Sequence, residues 1–287
     1  MPEEEEAVSA SLAGSNGEPE ARGAGGRPSR KRLYAILVLL VLAAYAALCC
    51  RAFANDVLYW AARRGHVIVA WTALAWGADP TWQNQYDDTA LQGAIRNAQK
   101  DVVALLLAHG TDVNKPGRWE YTAVHEAASW ANPRGHCHSG MTVGGTRSDR
   151  REILQMVLDA GGDLEADAGY GRTPLRIAAL EGDADTVRLL VAAGARVDDG
   201  GKDGFTVLHE AAGDGLTEVV DALLDAGADV SAGDASGWSP LDYAVAYGRG
   251  TERGEETIAL LLARGAKPDE SAAAMMDDGQ VSRGARE

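Results

Sequence analysis

The segment Thr173–Ala195, TPLRIAALEGDADTVRLLVAAGA, cannot hide its own apolar residues, and this limits what the chain can become. It reads as two short helices. Thr173 is placed to N-cap the first, its hydroxyl accepting a free backbone N–H, and Pro174 sits at the first helical position, where its missing N–H costs nothing. Leu175, Ala178 and Ala179 form one apolar stripe at helical spacing. Gly182 lets the chain reverse. Val187, Leu189, Leu190 and Val191 form the buried part of a second helix, which Gly194 ends in the left-handed region. Two helices this short need neighbours of the same kind to cover them.

The neighbours are present. The same frame recurs as TALQGAIRNAQKDVVALLLAHGTDV from Thr89, TAVHEAASW from Thr122, TVLHEAAGDGLTEVVDALLDAGADV from Thr206 and SPLDYAVAYG from Ser239. The step is 33 residues from Thr89 to Thr122, from Thr173 to Thr206 and from Thr206 to Ser239. Gly77 and Gly110, then Gly161, Gly194 and Gly227, keep the same beat. Thr122 to Thr173 is 51, so the third unit carries 18 extra residues, about 131–148; Gly227 to Gly265 is 38, so the sixth carries 5, about 249–254.

These motifs, T-P-L-H-x-A-A at the helix start and L-L-x-x-G-A-D-V at the helix end, resemble the ankyrin repeat family over about Asn55–Asp269. The resemblance implies an all-α solenoid of about six helix-turn-helix repeats. The first, NDVLYWAARRGHVIVAWTALAWGADP, lacks the Thr-Pro start but keeps Ala61, Ala62, Gly65 and His66. The family's motif histidine stands only at His125 and His209, where the resemblance makes it a structural tie between repeats. Gln92, Arg176 and Asp242 replace it elsewhere, so the inter-repeat hydrogen-bond ladder is expected to weaken there.

The chain divides into a disordered acidic and Gly/Ala/Pro-rich tail over 1–32, a transmembrane helix over 33–51, the repeat domain over 55–269 with its insertion at 131–148, and a flexible, polar tail over 270–287. Leu33–Cys50 holds 18 residues without a charge, and a helix of that length spans ~27 Å, close to a bilayer core. Arg22, Arg27, Arg30, Lys31 and Arg32 before it outnumber Arg51, Arg63 and Arg64 after it, which keeps the N-terminus cytoplasmic and sends the repeats across. Ala52-Phe53-Ala54 also fits a signal cleavage site, which would release a secreted soluble binder. Against cleavage, the leader would be unusually long, and Arg51 separates the apolar run from the site. Trp60, Trp71 and Trp76 of the first repeat are read as core and capping residues in preference to contacts with lipid or with a membrane helix.

Between helix pairs lie finger loops rich in Gly, Asp and Asn. The residue before each N-cap is Asp88, Tyr121, Arg172, Phe205 and Trp238, and the family resemblance implies that this position faces a concave groove. Trp82, Tyr86, Trp119 and Tyr170 lie in the same loops. Aromatic rings and Arg dominate interface hot spots, so Trp82, Tyr86, Trp119, Tyr121, Tyr170, Arg172, Phe205 and Trp238 form the expected binding row for a protein partner. His136, Cys137 and His138 in the insertion invite a metal or catalytic reading, but ligands alternating on one short segment rarely close a tetrahedral site. The insertion reads better as an adaptable contact loop. Net charge is −15 with no clustered Lys/Arg stripe, which disfavours nucleic acid. No phosphate loop, nucleophile elbow or paired carboxylates appear outside repeat positions. The expectation is a membrane-tethered scaffold that is not an enzyme, with no cofactor and no small-molecule substrate.

Overall fold

The computed structural model describes residues 53–129 and 146–268, with Ala272, Ala273 and Met276. All lie in the second of two units into which the chain divides, Cys49–Glu287. The described residues form six successive helix pairs. They are α1 (53–64) with α2 (Val67–Ala75), α3 (Ala90–Arg96) with α4 (Lys100–Ala108), and α5 (Ala123–Ala128) with α6 (Arg147–Asp159). Then come α7 (Pro174–Leu180) with α8 (Ala184–Ala192), α9 (Val207–Gly213) with α10 (Thr217–Asp225), and α11 (Pro240–Tyr243) with α12 (Glu252–Ala263). The first helices α3, α5, α7, α9 and α11 pack each on the next, as do the second helices α2, α4 and α6, and again α8, α10 and α12. Their apolar stripes merge into one core running from Ala54 to Ala272. This is the all-α repeat solenoid expected from the recurring frame.

Local geometry follows the sequence closely. Thr173 Oγ1 accepts the Arg176 N–H at 3.3 Å and Pro174 occupies the first turn. Leu175, Ala178, Ala179, Val187 and Leu190 are fully buried, while Leu189 and Val191 are half-buried against the core. Gly194 closes α8 at φ +106°, and Gly77, Gly110, Gly161, Gly227 and Gly265 end their second helices in the same left-handed region, which costs a side-chain-free residue least.

The inter-repeat ladder does not weaken at Gln92 or Arg176, two of the three places where the histidine is missing. His125 Nδ1 accepts its own N-cap N–H from Thr122 at 3.1 Å, which leaves Nε2–H to donate to the Arg172 carbonyl of the next finger at 2.9 Å. His209 repeats this with Thr206 at 3.1 Å and Trp238 at 3.1 Å. Gln92 has one acceptor and one donor group and does the same: its Oε1 takes the Thr89 N–H at 2.9 Å and its Nε2 donates to Tyr121 O at 2.8 Å. Arg176 has no acceptor; Nη2 still donates to Phe205 O at 2.7 Å, while the Thr173 N–H turns to Gly171 O at 3.0 Å. Asp242 caps Ser239 N at 2.7 Å in the sixth repeat.

Four further expectations are revised. The 131–148 insertion is not all loop: Thr146 caps α6 with Asp149, so its last residues give that helix an extra turn. The sixth repeat's extra residues also do more than lengthen a turn. Glu252, Arg253 and Gly254 form the first turn of α12, and Gly254 packs there against Gly248, the end of the π-helical Ala244–Gly248 that prolongs α11. The stretch after 269, read as free tail, meets the core at Ala272 and Met276. Trp60, Trp71 and Trp76 are not core: all three are exposed. Among the described residues no helix is long and apolar enough to cross a membrane. The 33–50 run, the N-terminal tail and His136–His138 lie outside the described residues.

Two outcomes test this geometry. Burial holds the imidazoles of His125 and His209 below their ordinary value of 6.5, against the hydrogen bonds to the next finger. The unfolded chain therefore binds protons first as pH falls, so stability is full above pH 6.5 and declines below it. His125→Gln should flatten part of that decline in pH-dependent urea melts and keep neutral-pH stability, whereas His125→Ala strands the Thr122 N–H, takes one of two donors from the Arg172 carbonyl and costs about 1–3 kcal/mol. In Gly254→Ala a β-carbon would collide with the Gly248 carbonyl, and thermal melts should show a loss of about 1–3 kcal/mol.

Candidate functional site

Four of the five fingers close by a backbone bond from the residue five before the N-cap to the carbonyl just before it. These bonds are Asn84 to Asp88 (3.0 Å), Gly117 to Tyr121 (2.8 Å), Ala168 to Arg172 (3.1 Å) and Asp234 to Trp238 (2.9 Å). The residue two before the N-cap is left-handed in all five fingers: Asp87, Glu120, Gly171, Gly204 and Gly237. This turn throws the preceding side chain outward. In the second, third and fourth repeats that side chain is aromatic: Tyr86, Trp119 and Tyr170.

The expected binding residues therefore separate into two groups. At the tips, Tyr86 is exposed, Trp119 is 59 % exposed and Tyr170 is 98 % exposed. Trp119 and Tyr170 also hold left-handed backbones, φ +59° and +60°, where a bulky L-residue is strained and Gly would cost less. Arg118 lies over both the Tyr86 ring (5.8 Å) and the Trp119 ring (4.6 Å), linking two adjacent tips. Trp82, earlier in its finger, is half-buried and its backbone N–H bonds Asp79 O.

At the finger bases, rings are supported from below. Tyr121 stacks on His125 at 5.3 Å. Burial pushes its phenol up, and the nearby Arg172 guanidinium, itself exposed, opposes that rise. Phe205 contacts His209 (5.5 Å) and Tyr243 (5.2 Å), with Arg176 over its ring at 5.5 Å. Trp238 meets the same Tyr243 edge-on at 5.3 Å. Asp88, at the equivalent place in the second repeat, is buried and pairs with Arg96 at 2.8 Å.

The sequence reading missed the first-helix side of this face. Tyr243 sits at the centre of the Phe205–Trp238 cluster and stacks on Tyr247 one turn later at 5.9 Å. Its hydroxyl donates to Asp234 Oδ2 at 2.7 Å, and that bond, with burial, pushes its pKa up to about 12. Arg96 bridges Asp88 and Glu126, tying the second repeat to the third. Arg176 pairs with Glu210 at 2.9 Å between the fourth and fifth; burial raises the Glu210 carboxyl and Arg176 pulls it back. The i, i+4 spacing of Tyr243 and Tyr247 was a readable signal, whereas pairs across 30 or more residues were not. Among the described residues no group of three or more His, Cys, Asp or Glu side chains is arranged to hold a metal.

The face is thus a strip of paired charges and packed rings edged by exposed rings. The family profile of ankyrin repeats (3 copies) matches residues 32–116, 58–137, 146–234 and 196–272.

The chain belongs to the ankyrin repeat family.

A crystal structure of an ankyrin repeat domain from Acinetobacter baumannii superposes with a TM-score of 0.59 at 29% identity, covering 73% of this chain and 98% of that one. Human ankyrin repeat and SOCS box protein 6 is 31% identical over 109 residues, 36% of this chain and 22% of that protein. Mouse protein fem-1 homolog A-like is 28% identical over 114 residues, 40% of this chain and 14% of that protein. The chain thus matches about a fifth or less of these curated relatives. Ankyrin repeats are protein–protein interaction modules, and the functional reading of this ankyrin chain starts there.

Support and exposure predict different mutational outcomes. Phe205→Ala removes a ring packed on Tyr243 and His209 and should cost about 2 kcal/mol, whereas Tyr170→Ala should stay within about 0.5 kcal/mol of the parent. Urea melts of the two variants check this.

Proposed function

We propose that this chain is a membrane-tethered ankyrin scaffold, not an enzyme, which binds a protein segment along its finger tips and first helices. The observation that carries the binding reading is the row of exposed rings at Tyr86, Trp119 and Tyr170, two of them kept at a backbone cost. A solvated loop gains nothing from such rings, while an interface gains large rigid contact area. The paired cations below, Arg96 and Arg176, are already neutralised by Asp88, Glu126 and Glu210. Affinity would therefore come mainly from rings and backbone groups. Tyr121, Arg172, Phe205 and Trp238 would form the floor of the site, and Trp82 its flank.

The tether reading rests on Leu33–Cys50, and the flanking Arg/Lys count favours repeats lying across the membrane from the N-terminus. Helix α1 begins by residue 53 and buries Ala54 in the core. A chain cut after Ala54 would lose that contact, which supports the uncleaved form over a secreted one.

Affinity capture from detergent extracts, with Tyr86→Ala/Trp119→Ala/Tyr170→Ala beside the parent, tests the binding reading. The expected result is loss of at least one stoichiometric protein partner with an unchanged melting curve. Identical capture by both chains would remove the tips from the site.

A further inference from the structure

The six second helices share one frame, so position-by-position comparison shows where the first departs. Two residues into α2 stands Ile68, 79 % exposed. The same place in the later repeats is Asp101, Glu152, Asp185, Glu218 and Glu256, all acidic and all exposed. Trp71, 55 % exposed, replaces Ala104, Gln155, Arg188, Asp221 and Ala259. Trp76, 74 % exposed, replaces His109, Ala160, Ala193, Ala226 and Arg264. Of the second helices, α2 is the one without an acid in its first turn. It forgoes the favourable pairing of a carboxylate with the positive helix end. Packing within the repeats does not explain this, because these side chains face away from the core.

Two observations indicate what covers them. The Asp79 N–H bonds Asn55 Oδ1 at 2.7 Å, fixing the end of α2 against the start of α1. Exposed Phe53 and Trp76 therefore lie at the end of the hairpin from which the chain runs back, within three residues, to the uncharged 33–50 run. Charge follows the same gradient: residues 51–78 carry three Arg and one Asp, in a chain whose net charge is −15. Trp and Arg are the side chains that suit the headgroup layer, and an anionic leaflet favours a basic neighbour and repels an acidic one.

We infer that the solvent-facing side of α2, with Phe53, lies on the headgroup region of a lipid bilayer, so that the first repeat is a lipid-contacting base for the acidic repeats. This rests on the tether proposed above. The test uses the full chain reconstituted in phosphatidylcholine/phosphatidylserine vesicles with brominated acyl chains, and it has two readouts. Retention through an alkaline carbonate wash reports the tether, and quenching of tryptophan fluorescence reports the lipid contact. The expected result is a retained chain whose quenched component disappears in Trp71→Phe/Trp76→Phe, a variant that keeps the parent's melting curve because both rings are exposed. A retained chain with unquenched tryptophans, or with quenching unchanged in the double variant, overturns the lipid contact and leaves the tether standing; the apolar side would then belong to a protein neighbour. A chain lost in the wash overturns both.

Discussion

The carbonyl just before each N-cap holds this array together. It has two lone pairs, and in three fingers both are used. Tyr121 O accepts from Gly117 N and Gln92 Nε2, Arg172 O from Ala168 N and His125 Nε2, and Trp238 O from Asp234 N and His209 Nε2. One bond closes the finger and the other ties it to the preceding repeat. Finger shape and inter-repeat spacing are therefore set by the same atom. Gln92, His125, Arg176 and His209, at the third helical position of the second to fifth repeats, each supply a donor long enough to reach the next finger.

That role is chemical and does not require histidine. An imidazole and a primary amide both carry one acceptor and one donor at suitable separation, so Gln92 and His125 are interchangeable in role. A guanidinium carries only donors, and the repeat that uses Arg176 reroutes its N-cap N–H to Gly171 O. The change has a consequence for the surface. The same guanidinium lies over Phe205 and pairs with Glu210, so the fourth repeat joins the ladder to the Phe205–Tyr243–Trp238 ring cluster.

The frame, the caps, the left-handed glycines and most of the buried stripe were legible in the sequence because each depends on residues a few positions apart. The ladder was misjudged at Gln92 and Arg176 because a motif was read as an amino acid instead of as a donor that must reach one carbonyl. Trp60, Trp71 and Trp76 were misassigned because a ring on a short helix fits an apolar stripe and an outward face equally well by composition. For Trp71 and Trp76, only the packing of α2 on α4 decides which side is turned away. Tyr243 and the Arg96 bridge were invisible for another reason: they depend on repeats being adjacent in space, which spacing implies but does not resolve to atoms.

When every repeat obeys one frame, the residues that follow it report on folding, and those that depart from it report on something else. Packing explains why Leu175, Leu208 and Leu241 recur at one place, each essentially inaccessible to solvent. It does not explain why the finger tip is Tyr, Trp and Tyr in three repeats but Asp203 and Ser236 in the next two. Nor does it explain why five second helices carry an acid where the first carries Ile68. Both departures put apolar area into water, and both occur on surfaces that the next repeat cannot cover. The two sets are also separate, since one lies on finger tips and the other on the outer side of a second helix.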